Sequence, residues 1–139
     1  MGRTSEKVII KNLFDIEKVS NGLLSENQIR NVEIEAIVDT GATYLCLPPK
    51  VIKELGLSYA YTKPVKTGNG RLELKIFRGA EITIKDRSIE MQVMENIDEH
   101  VPSLIGYLVL EEMDWVVNPK TQEIIGNPEN DGKWVVDMY

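Results

Sequence analysis

The stretch AIVDTGATYLCLP, Ala36 to Pro48, decides how this sequence is read. An apolar run, Ala36-Ile37-Val38, delivers an acid, Asp39, and a glycine follows two positions later at Gly41. Burying a carboxylate costs several kcal/mol unless specific partners hold it, so the pattern is poor strategy for stability alone. Gly41, without a Cβ, permits a sharp turn and the close approach of another backbone. Thr40 adds a hydroxyl beside the acid that can donate across a short gap. A strand that ends this way presents a hydrogen-bonded carboxylate in fixed geometry. That is what activating water without a metal requires of a base.

Outward from this point the chain reads as strands. NVEIEAIVD alternates Val32, Ile34, Ala36 and Val38 on one face with Glu33 and Glu35 on the other, and becomes fully apolar near Asp39. YLCL is a further short strand. PPKVIKELGL is the clearest helix, opened by prolines and stopped by Gly56. KTGNGR is a hairpin tip, and AEITI and SIEMQV form a second hairpin around KDR. PSLIG leads into YLVLEEM, a short helix, and DWVVN and EII pair around NPKTQ. KVIIKNLF opens the chain as a strand, with a turn expected at Asn21-Gly22, and the polar loop GNPENDGK precedes the closing WVVDMY. There is no internal repeat and no linker. The expectation is one domain over residues 1–139, all-β, with one or two short helices.

Composition narrows the function. The chain has 139 residues, 42% hydrophobic and 27% charged, enough for a single core. Its net charge of −6 argues against a nucleic-acid partner, which calls for a basic face. One cysteine, Cys46, rules out an internal disulfide and reads as core packing in YLCLP. The one histidine, His100, reads as an exposed loop residue, too isolated for a zinc site or a Ser-His-Asp or Cys-His centre. The acidic clusters ENIDEH and EEMD lack calcium-loop spacing and read as solvated faces. The amino-terminal apolar run is too short for a signal or membrane segment, and Glu6 breaks the myristoylation pattern. The expected location is cytoplasmic, with no metal, cofactor or membrane partner.

VDTGAT followed by LP, the glycine-rich tip TGNGR and the later triplet LIG resemble the retropepsin-like aspartic proteases, nearer their non-viral members. Order and spacing fit over roughly Ile29 to Ile125. The resemblance implies a small closed β-barrel-like acid-protease fold with one lobe per chain. It also implies an endopeptidase in which two chains pair and their two carboxylates share a proton. Like charges about 3 Å apart cannot both ionise, so one member of such a pair serves as base and the other as acid. Only one Asp-Thr-Gly is present and no Asp-Ser-Gly, so the resemblance implies a homodimer acting on a peptide or protein substrate.

Carried over by position, Asp39 is the catalytic carboxylate, Thr40 braces the pair between subunits, and Gly41 completes the turn. Gly68, Asn69 and Gly70 form the tip of a flap that closes over substrate. Leu104, Ile105 and Gly106 pack beside the active-site loop. Lys66 and Arg71 flank the tip and are either contacts for acidic substrates or solubilising charges. The viral pattern has an acid soon after the triad's alanine and an arginine just after the later glycine. Here Thr43, Tyr44 and Tyr107 stand in those places, so that ion pair is absent. WVVDMY is a candidate for the terminal strand that joins viral dimers. The alternative is a non-catalytic module of the same fold that holds extended peptides. An actin-like or aspartyl-phosphate phosphotransferase is a poor fit: the first needs two large α/β domains, and the second an acid where Gly41 stands.

Overall fold

Strand β1 (Ser5–Asn12) pairs antiparallel on one side with β2 (Asn31–Val38) and on the other with the far end of β5 (Gly70–Ile84). Between β2 and β5 lie β7 (Leu104–Ile105), β3 (Leu45–Leu47) and β6 (Arg87–Glu95), in the order β1-β2-β7-β3-β6-β5. The circuit therefore closes on itself, which removes free edges from most of the sheet. Strand β4 (Ser58–Thr67) stands outside it as a hairpin partner of the first half of β5. Strands β8 (Trp115–Asn118) and β9 (Glu123–Gly126) make a separate small hairpin. This computed structural model describes residues 3–135. It has the small, closed, mostly β architecture expected from the sequence.

The barrel interior is filled by alternate residues from the strands of the closed circuit, among them Val8, Ile10, Ala36, Ile82, Val93 and Ile105. A second, smaller cluster lies on the opposite face of β3, β6 and β7, where Cys46, Met94 and Leu104 meet Ile76 and Leu74 of β5. The strands next to Asp39 are thus apolar on both faces, which is why their sequences lose alternation.

One strand serves both clusters through a bulge. In the first half of β5, Ile76 faces the small cluster and Phe77 the barrel. Beyond the irregularity between Phe77 and Ala80, it is Ala80, Ile82 and Ile84 that face the barrel. An extra residue in one strand flips which parity points inward. Gly79 supplies it at φ +92, and a Cβ there would lie 2.7 Å from the Phe14 ring.

Among the described residues there are three short α-helices, one more than the upper expectation: α1 (Leu13–Ser20), α2 (Pro49–Leu55) and α3 (Tyr107–Met113). Helices α2 and α3 occupy the segments read as helical. Helix α1 is new, and the turn expected at Asn21-Gly22 is its carboxyl end, with Gly22 at φ +72. The helix forms because fully buried Asn12 caps it, its side-chain oxygen accepting from the Asp15 N–H at 3.0 Å. The Asn12 amide also donates to the Leu55 carbonyl at 2.8 Å, tying α1 to the end of α2.

Asp15, 3% exposed, accepts two side-chain hydrogen bonds from Arg30, from Nε at 2.9 Å and Nη2 at 3.0 Å, and a third from the Arg30 backbone N–H. The Arg30 side-chain hydrogen bond is the main cause that lowers the Asp15 carboxyl from 3.8 to about 2. A folded-state value below the unfolded one means that the folded protein binds fewer protons between the two. The associated stability is present above about pH 5 and is lost as the pH falls toward 2. Because Arg30 is half exposed, that stability is about 1–2 kcal/mol after screening. Urea unfolding at pH 7, 5, 3.5 and 2.5 is expected to show this loss in the wild type and its absence in Asp15→Asn. Identical acid limbs in the two proteins would overturn the assignment.

At the far end, buried Arg87 stacks on Trp115, its guanidinium carbon 3.9 Å from the ring centroid. It donates to the carbonyls of Met113, Asp114 and Gly132, fastening the carboxyl-terminal loop to the barrel. The polar loop GNPENDGK contains a 3-10 turn at Pro128–Asn130. Of the segment WVVDMY, Trp134 and Val135 are not in a strand, and residues 136–139 lie outside the described residues.

Candidate active site

Asp39 is the first residue past β2, and the main chain fixes it. Its N–H donates to the Ile105 carbonyl at 3.0 Å, and its own carbonyl accepts from Ala42 N–H at 3.0 Å. The carboxylate oxygen Oδ1 accepts from Gly41 N–H at 2.9 Å. A Cβ on Gly41 would lie 3.1 Å from that same oxygen, so glycine here serves the carboxylate's close approach. Asp39 is half-buried in the single chain, not buried as the apolar run before it suggested, while Thr40 and Gly41 are exposed. The acid is held from within and open outward.

Leu104-Ile105-Gly106 lies against this loop. Strand β7 runs parallel to the end of β2, with Leu104 opposite Ile37 and Ile105 opposite Val38, and antiparallel to β3. Ile105 is fully buried in the barrel, and Leu104 points into the smaller cluster. Gly106 touches the loop itself: a Cβ there would fall 2.5 and 2.6 Å from the carbonyl carbon and oxygen of Thr43, and closer still to the Tyr44 carbonyl oxygen. Just beyond it, Tyr107 N–H donates to Ala42 O at 2.9 Å and Leu108 N–H to Thr43 O at 3.1 Å. Where the viral pattern has an ion pair, main-chain hydrogen bonds join the same two segments here.

Over the loop stands the β4–β5 hairpin, turned at Gly68-Asn69 and closed by the Thr67–Gly70 pair, with Gly70 at φ +115. The Thr67 hydroxyl donates to the Gly70 carbonyl at 2.8 Å and accepts from Asn69 N–H at 3.2 Å, so the tip is internally braced. Between hairpin and loop is a cleft of about 570 Å³. Its lining includes Gly41, Ala42 and Tyr44 from the loop and Val65, Leu72 and Leu74 from the hairpin shaft. The tip residues Gly68, Asn69 and Gly70 are exposed and do not line it. Asp39 lines a neighbouring hollow of about 470 Å³ with Thr4, Pro102 and Gln122.

Two side chains that sequence reading did not single out as a pair meet at this cleft. Lys63 Nζ donates to the Tyr44 hydroxyl at 3.1 Å and lies 5.5 Å from the ring centroid. That hydrogen bond holds the Lys63 ammonium above the ordinary lysine value, so it stays charged. Cys46 forms part of the floor. Burial, with Asp39's charge adding, pushes its thiol up to about 11, so it is an inert thiol and not a nucleophile. His100 is exposed. Among the described residues no three His, Cys, Asp or Glu side chains group as metal ligands, and no helix is long and apolar enough to cross a membrane.

Over residues 25–112, more than half of the chain, the sequence matches the family described as "gag-polyprotein putative aspartyl protease". The chain belongs to this aspartyl protease family. The matched span runs from ahead of β2 into α3, and so includes the Asp39 loop, the hairpin over it and Leu104-Ile105-Gly106. No curated protein matches the chain.

Proposed function

We propose that this aspartyl protease family member is an endopeptidase that works as a homodimer, each copy contributing one Asp39. The observation that carries the reading is the half-buried Asp39 carboxylate, gripped at 2.9 Å by Gly41 N–H on a loop whose next two residues are exposed. A carboxylate held this way is positioned to activate water but lacks the second carboxyl that would act as the acid toward the peptide carbonyl, and the chain has only one Asp-Thr-Gly. A second copy supplies it. One Asp39 takes a proton from water while the other, protonated, hydrogen-bonds the scissile carbonyl. The water oxygen attacks the carbonyl carbon, and the leaving amine collects the proton. Thr40, exposed beside the acid, braces the pair across the dimer axis, and the hairpin tip Gly68-Asn69-Gly70 closes over substrate. In this reading Leu104, Ile105 and Gly106 support the loop, no cofactor takes part, and the enzyme acts on peptides or proteins in the cytoplasm.

The test is the order of the reaction in protein. At concentrations below dimer dissociation, halving the protein should cut the cleavage rate about fourfold, because the active species scales with the square of the monomer. Adding excess Asp39→Asn protein should suppress the wild type by forming mixed dimers with one carboxylate. A rate linear in protein down to the lowest measurable concentration, unaffected by the added variant, would sink the dimer. Binding of peptides without cutting would favour the peptide-holding module instead.

A further inference from the structure

The cleft beneath the hairpin is chemically uneven. Leu72, Leu74, Met94 and Leu104 make its apolar walls and floor, and the Tyr44–Lys63 pair stands at one side. Among the described residues no carboxylate lines it, although the chain carries a net charge of −6. Lys63 has no ion-pair partner among the described residues. The Tyr44 hydroxyl is a neutral acceptor that occupies one of the ammonium's three donors and leaves its charge uncompensated.

Strand register singles out this cation. Residues directly opposite in an antiparallel pair share a face, and successive residues alternate. Lys63 lies opposite Leu74, and Val65 opposite Leu72, which is the face turned to the cleft. Lys66 lies opposite Arg71, on the other face of the ladder. Lys66 still borders the cleft, whereas Arg71 does not. Lys63 is the cation that shares a face with Val65, Leu72 and Leu74 and is held there by Tyr44.

We propose that the cleft takes peptide segments that combine a large apolar side chain with a nearby aspartate or glutamate, and that Lys63 is the residue that selects the acid. This rests on the cleft being the substrate groove. An incoming carboxylate accepts from the two ammonium donors that Tyr44 leaves free, and its apolar neighbour fills the volume between Leu74 and Leu104. Lys63 is exposed at the side of the cleft, and a charge-assisted hydrogen bond there discriminates against the neutral isostere.

The experiment uses full-length protein and matched peptides differing only in Asp against Asn or Glu against Gln. All are amidated at the carboxyl terminus, so the side chain is the one carboxylate that differs. Binding to Asp39→Asn protein is read by fluorescence anisotropy, and cleavage by wild type as kcat/KM. The acidic peptides should bind and be cut about tenfold better than their amides. Lys63→Met should reduce that ratio to near one, and Lys63→Glu should bring it below one. Because the readout is a ratio, a general change in activity cancels. Equal handling of acid and amide by the wild type, or an unchanged ratio in Lys63→Met, would overturn the proposal. Selective, Lys63-dependent binding without cleavage would uphold it while overturning the endopeptidase reading.

Discussion

Asp39→Asn is expected to lower kcat by about 10³-fold or more while leaving the fold intact. The substitution keeps the size of the side chain and an oxygen that can accept from Gly41 N–H, so the 2.9 Å hydrogen bond survives. What is lost is the ability to take a proton from water, and positioned proton transfer contributes roughly 10²–10⁴-fold to a rate. Both carboxylates of the dimer's single shared site are lost together, which places the loss at the upper end. Stability should change by less than about 0.5 kcal/mol, since Asp39 is only half-buried and the substitution keeps its shape and its hydrogen bond. Paired measurement of kcat and of the urea midpoint separates the two effects. Retained activity within tenfold of wild type would remove Asp39 from the chemistry, and a large fall in the midpoint would make it a structural residue.

That residue could be found in the sequence because its signals are local. The alternation of Val32, Ile34 and Ala36 marks a strand with one buried face, and the break in alternation at Ile37-Val38 marks where β2 is apolar on both faces. YLCL and LIG are double-faced for the same reason, with Leu45 and Ile105 in the barrel and Cys46 and Leu104 in the smaller cluster. Barrel closure was not legible in detail, because it depends on β1 meeting β5 with Ile10 opposite Ile82, far apart in sequence. Nor was the parity change at Gly79. Phe77 apart, the apolar residues keep to even positions from Leu72 to Ile84, so the alternation does not mark the bulge at which this one strand changes cluster. Helix α1 was hidden for a different reason. It hangs on the Asn12 cap and on Arg30 reaching back to Asp15, and no periodicity announces either contact. Lys63 lay within reach of sequence reasoning. Once KTGNGR is taken as a hairpin tip, counting back in twos from Thr67 reaches Val65 and then Lys63 on one face.

Gly106→Ala is expected to destabilise the protein by about 3 kcal/mol and to lower activity with it. The backbone at Gly106 has φ −82, which any residue adopts, so conformational strain is not the source. The cost is steric. A methyl group there would lie 2.5 Å from the Thr43 carbonyl carbon and 2.6 Å from its oxygen, with the Tyr44 carbonyl oxygen nearer still. All three are main-chain atoms, which cannot swing aside as a side-chain end can, and overpacking of a rigid site costs roughly 1–3 kcal/mol. To relieve it, the loop from Ala42 to Tyr44 must move. That motion lengthens the Tyr107-to-Ala42 and Leu108-to-Thr43 hydrogen bonds and shifts Asp39, whose carbonyl accepts from Ala42 N–H. Stability and geometry of the acid therefore fall together. Gly68→Ala is the control: no atom lies within 4 Å of its would-be Cβ and its φ is ordinary, so its urea midpoint should stay within about 0.5 kcal/mol of wild type. If Gly106→Ala is as stable as Gly68→Ala, the tight seam between the Asp39 loop and Leu104-Ile105-Gly106 does not exist. If instead it is destabilised but cleaves with wild-type kcat where it remains folded, the seam holds the barrel and not the acid.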